Sequence, residues 1–179
     1  MPKVLIPLAP GFEELEAITI IDLLRRAAIE VVSAGLNPGP VRASRATIHL
    51  PDTDLDNALQ QEYDMVVLPG GLPGSDHLAN DPRIIELLRR MAQMGRFTAA
   101  VCAAPKALAA AGLLTGKRAT AYPGVLEALG IANSGAPVVS DGKVITSRGP
   151  GTAMDFALTL IEHLTGRPTR EKVEAELQR

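Results

Sequence analysis

The sequence predicts an α/β protein: a single domain over residues 1–179, built on a doubly wound, mostly parallel sheet with helices on both faces. Three observations predict it. Short apolar runs of strand length alternate with segments of helical periodicity, the order that builds parallel sheets. The runs at Val4–Leu8, Met65–Leu68 and Phe97–Val101 are nearly continuous in apolar or small residues, as strands covered on both faces require. A chain of 179 residues also suits one domain with a sizeable core.

Each element has its own signal. Val4-Leu5-Ile6-Pro7-Leu8 is the first strand and Ala9-Pro10-Gly11 the turn after it. A helix starts at about Glu13, with Leu15, Ile18, Ile21 and Leu24 at the spacing of one helical face. Glu30–Ala34 is a second strand beside the first. Val41–Leu50 mixes polar and β-branched residues, so a hairpin or edge excursion is expected there, carrying Arg45 and His49. Asp52–Leu59 suits a short helix. Asp64–Leu68 is a strand that runs into Pro69-Gly70-Gly71, and Leu72–Leu78 reads as a loop. Pro82–Met94 is amphipathic, with Ile84, Ile85, Leu87, Leu88 and Met91 inward and Arg83, Glu86, Arg89 and Arg90 outward. After the strand ending at Val101, Pro105 takes an early helical position and the helix runs through Ala111. A strand at Ala119 is followed by Gly124–Leu129, within a loop region over 125–134. Val138–Ser140 and Lys143–Thr146 form a strand pair across Asp141-Gly142, a strong hairpin signal. Gly149-Pro150-Gly151-Thr152 opens a helix to Leu164 that Gly166 closes, and a charged surface helix follows from Thr169.

Composition excludes several classes. Net charge is −2 with no basic run, and aromatic residues are 3% with no tryptophan, so neither phosphate attraction nor base stacking argues for nucleic acid. No apolar stretch is of membrane-spanning length, and the N terminus lacks a basic region before an apolar core. One cysteine makes no internal disulfide, so a cytoplasmic location is expected. His49, His77 and His163 are scattered without ligand spacing, so no metal is expected. No Gly-x-Gly-x-x-Gly follows a strand, and Gly149-Pro150-Gly151 lacks the lysine of a phosphate loop.

The chemistry gathers at three strand ends. Cys102 sits between an apolar strand and a helix start, the geometry of a nucleophile elbow. A lone cysteine in an apolar run is by itself a small hydrophobe. Here unpaired amides and the helix dipole are expected to hold the thiol below its free pKa. Glu13, Glu14 and Glu16 fall in the first turn of the first helix. Dipole compensation accounts for Glu13 and Glu14. Glu16 lies between Leu15 and Ala17 at the carboxyl end of the sheet, where ligands bind, and a carboxyl held against a thiolate is kept protonated. Gly70-Gly71 lets the backbone approach closely and point amides at the same place.

Four segments, in order, resemble the ThiJ/PfpI superfamily, in the branch of DJ-one (Parkinson disease protein 7) and YajL-like proteins. They are Ala9-Pro10-Gly11-Phe12-Glu13-Glu14-Leu15-Glu16, Val67-Leu68-Pro69-Gly70-Gly71, Ala99-Ala100-Val101-Cys102-Ala103-Ala104-Pro105 and Thr146-Ser147-Arg148-Gly149-Pro150-Gly151-Thr152. The resemblance implies a flavodoxin-like sandwich, usually a homodimer, with Cys102 as nucleophile and Glu16 as its protonated partner. It implies that Gly71 and Ala103 amides receive an oxyanion, and it puts Gly70, Tyr122, Arg45 and Pro150 around the substrate. Relatives often carry histidine where this chain has Tyr122, which cannot relay protons at neutral pH as imidazole does. Arg45 and Arg148 fall in regions that match the family; Lys106 reads as a solvent-facing charge. The function implied is a cofactor-free, cysteine-dependent enzyme acting on reactive carbonyls, either a glutathione-independent glyoxalase making lactate from methylglyoxal or a deglycase of proteins and nucleotides. The alternative is a redox-sensing stress protein or chaperone whose cysteine is oxidised to sulfinate, with no second cysteine to divert it into a disulfide.

Overall fold

The computed structural model describes residues 1–179. In chain order its elements are β1 Lys3–Leu8, α1 Glu14–Arg26, β2 Glu30–Gly35, β3 Val41–Arg42, β4 Ile48–His49, β5 Thr53–Asp54, α2 Leu55–Ala58, β6 Met65–Leu68, α3 Gly74–Asn80, α4 Pro82–Gln93, β7 Phe97–Val101, α5 Pro105–Ala110, β8 Val138–Asp141, β9 Val144–Ser147, α6 Ala153–Thr165 and α7 Arg167–Glu176. Seven strands form one sheet in the order β5-β2-β1-β6-β7-β9-β8. Every pairing in it is parallel except β8 with β9, the hairpin across Asp141-Gly142. The β3–β4 ribbon stands apart from the sheet and is antiparallel.

The chain leaves β1 toward β2 on one side and returns through β6 on the other, so strand order reverses between β1 and β6. A crevice opens at the carboxyl ends of the strands at such a reversal. Two apolar clusters cover the two faces. One joins the sheet to α1, α6 and α7 through Ile20, Leu24, Phe156, Leu160 and Val173. The other joins it to α2–α5 through Leu55, Leu78, Leu88 and Leu108. No helix is long and apolar enough to cross a membrane.

Three expectations are corrected. The buried stripe of α1 is Glu16, Ala17, Ile20, Leu23 and Leu24, whereas Leu15 is 52% exposed and Ile18 40%. The period was right and the phase wrong, because Glu16 turns inward over Gly70 and rotates the apolar positions 15 and 18 outward. Ala119 belongs to no strand: the Thr120 amide donates to the side-chain Oγ1 of Thr146 (2.9 Å), and the Thr120 hydroxyl to the Ala136 carbonyl (2.7 Å). The segment is held by hydroxyls where a ladder was expected. Residues 74–80, expected as loop, form α3; two glycines and a proline at its start obscured it.

Candidate active site

Three loops meet at the crevice, one from each of β1, β6 and β7. Cys102 follows β7 with φ 63°, a left-handed backbone that non-glycine residues adopt only when their surroundings enforce it. The enforcement is visible on both sides of the residue. Its amide donates to the Ser147 carbonyl at the end of β9 (3.0 Å), and its carbonyl accepts from the Tyr122 amide (2.8 Å). The residue is 9% exposed.

Glu16 is fully buried, and its Oε2 accepts from the Gly70 amide at 2.7 Å. Oε1 has no hydrogen-bond partner, and the Cys102 thiol lies alongside the same carboxyl. Gly70 is the contact between the two loops. A Cβ there would stand 2.6 Å from both the Cys102 Cβ and Glu16 Oε2, so any side chain would push nucleophile and acid apart. Gly71 has φ 90°, and a Cβ on it would meet the Glu13 amide nitrogen at 2.4 Å. That freedom turns its own amide toward the Cys102 sulfur, which the Ala103 amide also faces.

Burial is the largest influence on both titrating groups. It pushes the Glu16 carboxyl up to about 7, against the lowering pull of the Gly70 amide and the Cys102 thiol. For Cys102, burial and then the negative charge of Glu16 push the thiol up to about 12, against the pull of the Gly71 and Ala103 amides. The helix-start expectation of a low-pKa thiol is therefore corrected while Glu16 is ionised: desolvation and a facing anion outweigh two amide dipoles. With the proton on Glu16 the facing anion disappears, and the amides contend with burial alone. The pair thus holds one proton between its two members.

The other residues are spread around this centre. Tyr122 is 52% exposed and lines a cavity of about 310 Å³ with Pro123, Arg148, Gly149, Pro150 and Thr152. Pro150 is thereby on the cavity wall. Arg148 Nη1 donates to the Gly135 carbonyl (2.9 Å). Arg45 is exposed; its amide is held by Glu14 (2.9 Å), and its guanidinium forms no ion pair within the chain. Lys106 is paired with Asp76 at 2.5 Å. His49 bonds Thr47 and His163 bonds Ser140, and no three His, Cys, Asp or Glu side chains cluster as a metal site would need. Glu14, expected only to compensate the helix dipole, has a larger part. Its carboxylate accepts from the Arg45 amide and the Ser44 and Thr47 hydroxyls, tying the β3–β4 ribbon to α1.

Two buried hydroxyls beside the Cys102 loop had no signal of their own in the sequence. Ser147 and Thr152 are buried, with their hydroxyl oxygens 2.6 Å apart. Hydroxyls this common become informative only when the fold faces them together.

The model of the DJ-1/PfpI family matches residues 2–163. Protein dj-1beta of Drosophila melanogaster is 47% identical over 175 residues, covering 95% of this chain and 91% of the relative. A Caenorhabditis elegans protein named glutathione-independent glyoxalase DJR-1.2 is 36% identical over 157 residues, covering 86% and 83%. Among solved structures, oxidized Toxoplasma gondii DJ-1 superposes with a TM-score of 0.95 at 36% identity, over 99% of this chain and 98% of that one.

Proposed function

The chain belongs to the DJ-1/PfpI family, and from that premise we propose that it is a cofactor-free enzyme of reactive-carbonyl defence in the cytoplasm, with Cys102 as nucleophile and Glu16 as proton carrier. The observation that carries this reading is the buried Cys102–Glu16 pair with the Gly71 and Ala103 amides turned toward the sulfur. The similarity to the nematode glyoxalase supports methylglyoxal as substrate. The same addition step would serve a deglycase.

The reaction follows from one shared proton. Cys102 gives its proton to Glu16 as the sulfur bonds to the aldehyde carbon. The carbonyl oxygen takes up the negative charge, and the Gly71 and Ala103 amides stabilise it. Glu16 returns the proton to that oxygen, leaving a hemithioacetal. Now ionised, Glu16 removes the hydrogen on the former aldehyde carbon, and the electron pair forms an enediol with the neighbouring carbonyl. The hydroxyl on the former aldehyde carbon passes its proton to the neighbouring oxygen and becomes a carbonyl, while Glu16 delivers the proton it removed to the neighbouring carbon, giving a lactoyl thioester. Water cleaves the thioester to lactate and restores the thiol. Methylglyoxal and water enter, lactate and a proton leave, and nothing is oxidised or reduced overall.

Glu16→Gln keeps the size and the acceptor for the Gly70 amide but cannot carry a proton, so turnover of methylglyoxal should fall by roughly a hundredfold. A variant within about twofold of wild type, with its circular dichroism unchanged, would refute the role of Glu16.

A homodimer is part of the proposal. Leu15, Ile18, Ile48 and Leu50 are exposed, and Glu14 ties the two segments that carry them. A second copy of the chain would cover such an apolar face.

The second reading, a sulfinate-forming sensor, is favoured by the same unpartnered Glu16 Oε1, which when protonated could donate to an oxidised sulfur. Turnover of methylglyoxal by the reduced protein supports the enzyme; activity that appears only after peroxide treatment supports the sensor.

A further inference from the structure

The edge of the sheet opposite Cys102 carries a second cavity. Cys102 stands at the carboxyl ends of the strands, whereas Asp64, Phe97 and Lys143 stand at the amino ends of β6, β7 and β9. With Arg96, and with His163 and Leu164 from the end of α6, they line a cavity of about 480 Å³, larger than the one beside Tyr122. The sheet fixes its walls. The Asp64 amide donates to the Lys3 carbonyl (2.8 Å), the Phe97 amide to the Asp64 carbonyl (3.1 Å) and the Thr98 amide to the Lys143 carbonyl (2.9 Å). The Asp64 carboxylate accepts from the Lys3 amide (2.9 Å) and from Arg96 Nη1 (2.6 Å).

The charges on these walls do not balance. Asp64 is the one acid among them, and Arg96 already pairs with it. Lys143 forms no ion pair; its ammonium lies 3.9 Å from the centroid of the Phe97 ring. The acid nearest to it in the chain, Asp141, is engaged by Lys117 (3.5 Å) and by the Arg118 amide (2.9 Å). The His163 ring lies 5.3 Å from the same Phe97 ring, with Nε2 3.0 Å from the Ser140 hydroxyl. Partial burial holds this imidazole below its ordinary 6.5; the adjacent Glu162 pulls it up, and Lys143 pushes it further down.

An anion between Lys143 and His163 would compensate the ammonium and give an imidazolium its partner. The last turn of α6 also favours a cation at His163. Arg96 keeps N–H donors that Asp64 does not use. Lys143, Arg96 and a protonated His163 set against Asp64 leave an excess of two positive charges, which a dianion balances.

We infer that this cavity binds a dianionic oxyanion, a phosphate group free or carried by a small ester, through Lys143, His163 and Arg96. The site is independent of the carbonyl chemistry proposed for Cys102.

Sulfate is the probe of charge, because it stays doubly ionised over the range in which imidazole titrates. The His163 ring signal in the proton NMR spectrum, identified by its loss in His163→Gln, should titrate below 6.5 in sodium chloride. In sodium sulfate of matched ionic strength its midpoint should rise by about 1 pH unit, a roughly tenfold preference of the anion for the imidazolium, while His49 and His77 do not move. Lys143→Met should raise the midpoint in chloride, since a like charge is gone, and abolish the further rise in sulfate. Loss of packing alone would not produce that combination. Arg96→Lys keeps the charge beside Asp64 without the forked donors and should weaken sulfate binding about tenfold. Cys102→Ala should respond as wild type does, which separates this site from the Cys102–Glu16 crevice. Inorganic phosphate and phenyl phosphate, compared by calorimetry in mildly alkaline solution, distinguish the two sources: tighter binding of the ester assigns the site to a small ester lying against Phe97, and equal binding to the free ion. Equal His163 midpoints in sulfate and chloride would overturn the inference. So would an equal rise at all three histidines, a Lys143→Met or Arg96→Lys variant that responds to sulfate as wild type does, or a response lost in Cys102→Ala.

Discussion

Glu16 should leave a signature in stability that does not depend on any substrate. Its carboxyl is raised from 4.5 to about 7, with burial the largest cause. A raised carboxyl favours the protonated form in the folded state, so its stabilising effect is complete below about pH 4.5 and is lost as pH rises through about 7. The interval is about 2.5 pH units at about 1.36 kcal/mol each, or about 3 kcal/mol in all. The comparison is between Cys102→Ser and Cys102→Ser/Glu16→Gln, so that no thiol titrates. Glutamine stands in for the protonated acid at every pH. Relative to its parent, the double variant should therefore gain about 3 kcal/mol between pH 4.5 and pH 8. Other carboxylates cancel in the difference. Glu14, for one, has burial as its largest single influence, acting upward, yet bonds to its own and the Arg45 amide and to the Thr47 and Ser44 hydroxyls together hold it down to about 2. The assay is urea unfolding followed by far-ultraviolet circular dichroism, since the chain has no tryptophan. A difference in stability that stays flat across this pH range would refute the burial argument and the shared proton with it.

Three further outcomes are expected. Iodoacetamide labelling of Cys102 should have a midpoint above the free-thiol value of about 8.5, because burial and the ionised Glu16 both oppose the thiolate; a midpoint at or below that value would refute the burial argument. Tyr122→Phe should raise KM more than it lowers kcat, at a cost on the order of 1 kcal/mol, and a collapse of kcat at constant KM would instead make Tyr122 an essential acid. Ile48→Glu should convert a dimer to a monomer in light scattering behind size exclusion, and an unchanged mass would move the interface elsewhere.

The order of elements was readable because buried parallel strands and amphipathic helices impose periods that one sequence displays. The phase of a helix is less readable when a polar residue is turned inward for function. Leu15 and Ile18 look like core by spacing, and only the burial of Glu16 under Gly70 explains why they face outward. The Ala119 segment failed for a related reason. Its apolar and β-branched residues suit a strand, but its hydrogen bonds go to the Thr146 side chain and the Ala136 carbonyl, partners that no local pattern reveals. At the site, Cys102, Glu16 and Gly70-Gly71 were legible because each has a residue type that is costly or unusual in its place. Ser147 and Thr152 were not, since hydroxyls gain meaning only from what they face.

The sequence also misjudged the thiol, and the error clarifies the mechanism. A helix start lowers a thiol's pKa through amide dipoles, but at Cys102 those dipoles meet burial and a carboxylate that both oppose them. Were the acid at residue 16 absent, the amides would contend with burial alone. Were it fixed as an anion, the thiolate would be suppressed. A carboxyl raised to about 7 avoids both extremes near neutral pH, since it can hold the proton that the sulfur gives up. Gly70 makes this possible at a distance no other residue allows, because its missing side chain is the space in which acid and nucleophile meet. The reactivity proposed for Cys102 is therefore a property of the pair and of the glycine between its members, and the helix start supplies only amides that face the sulfur.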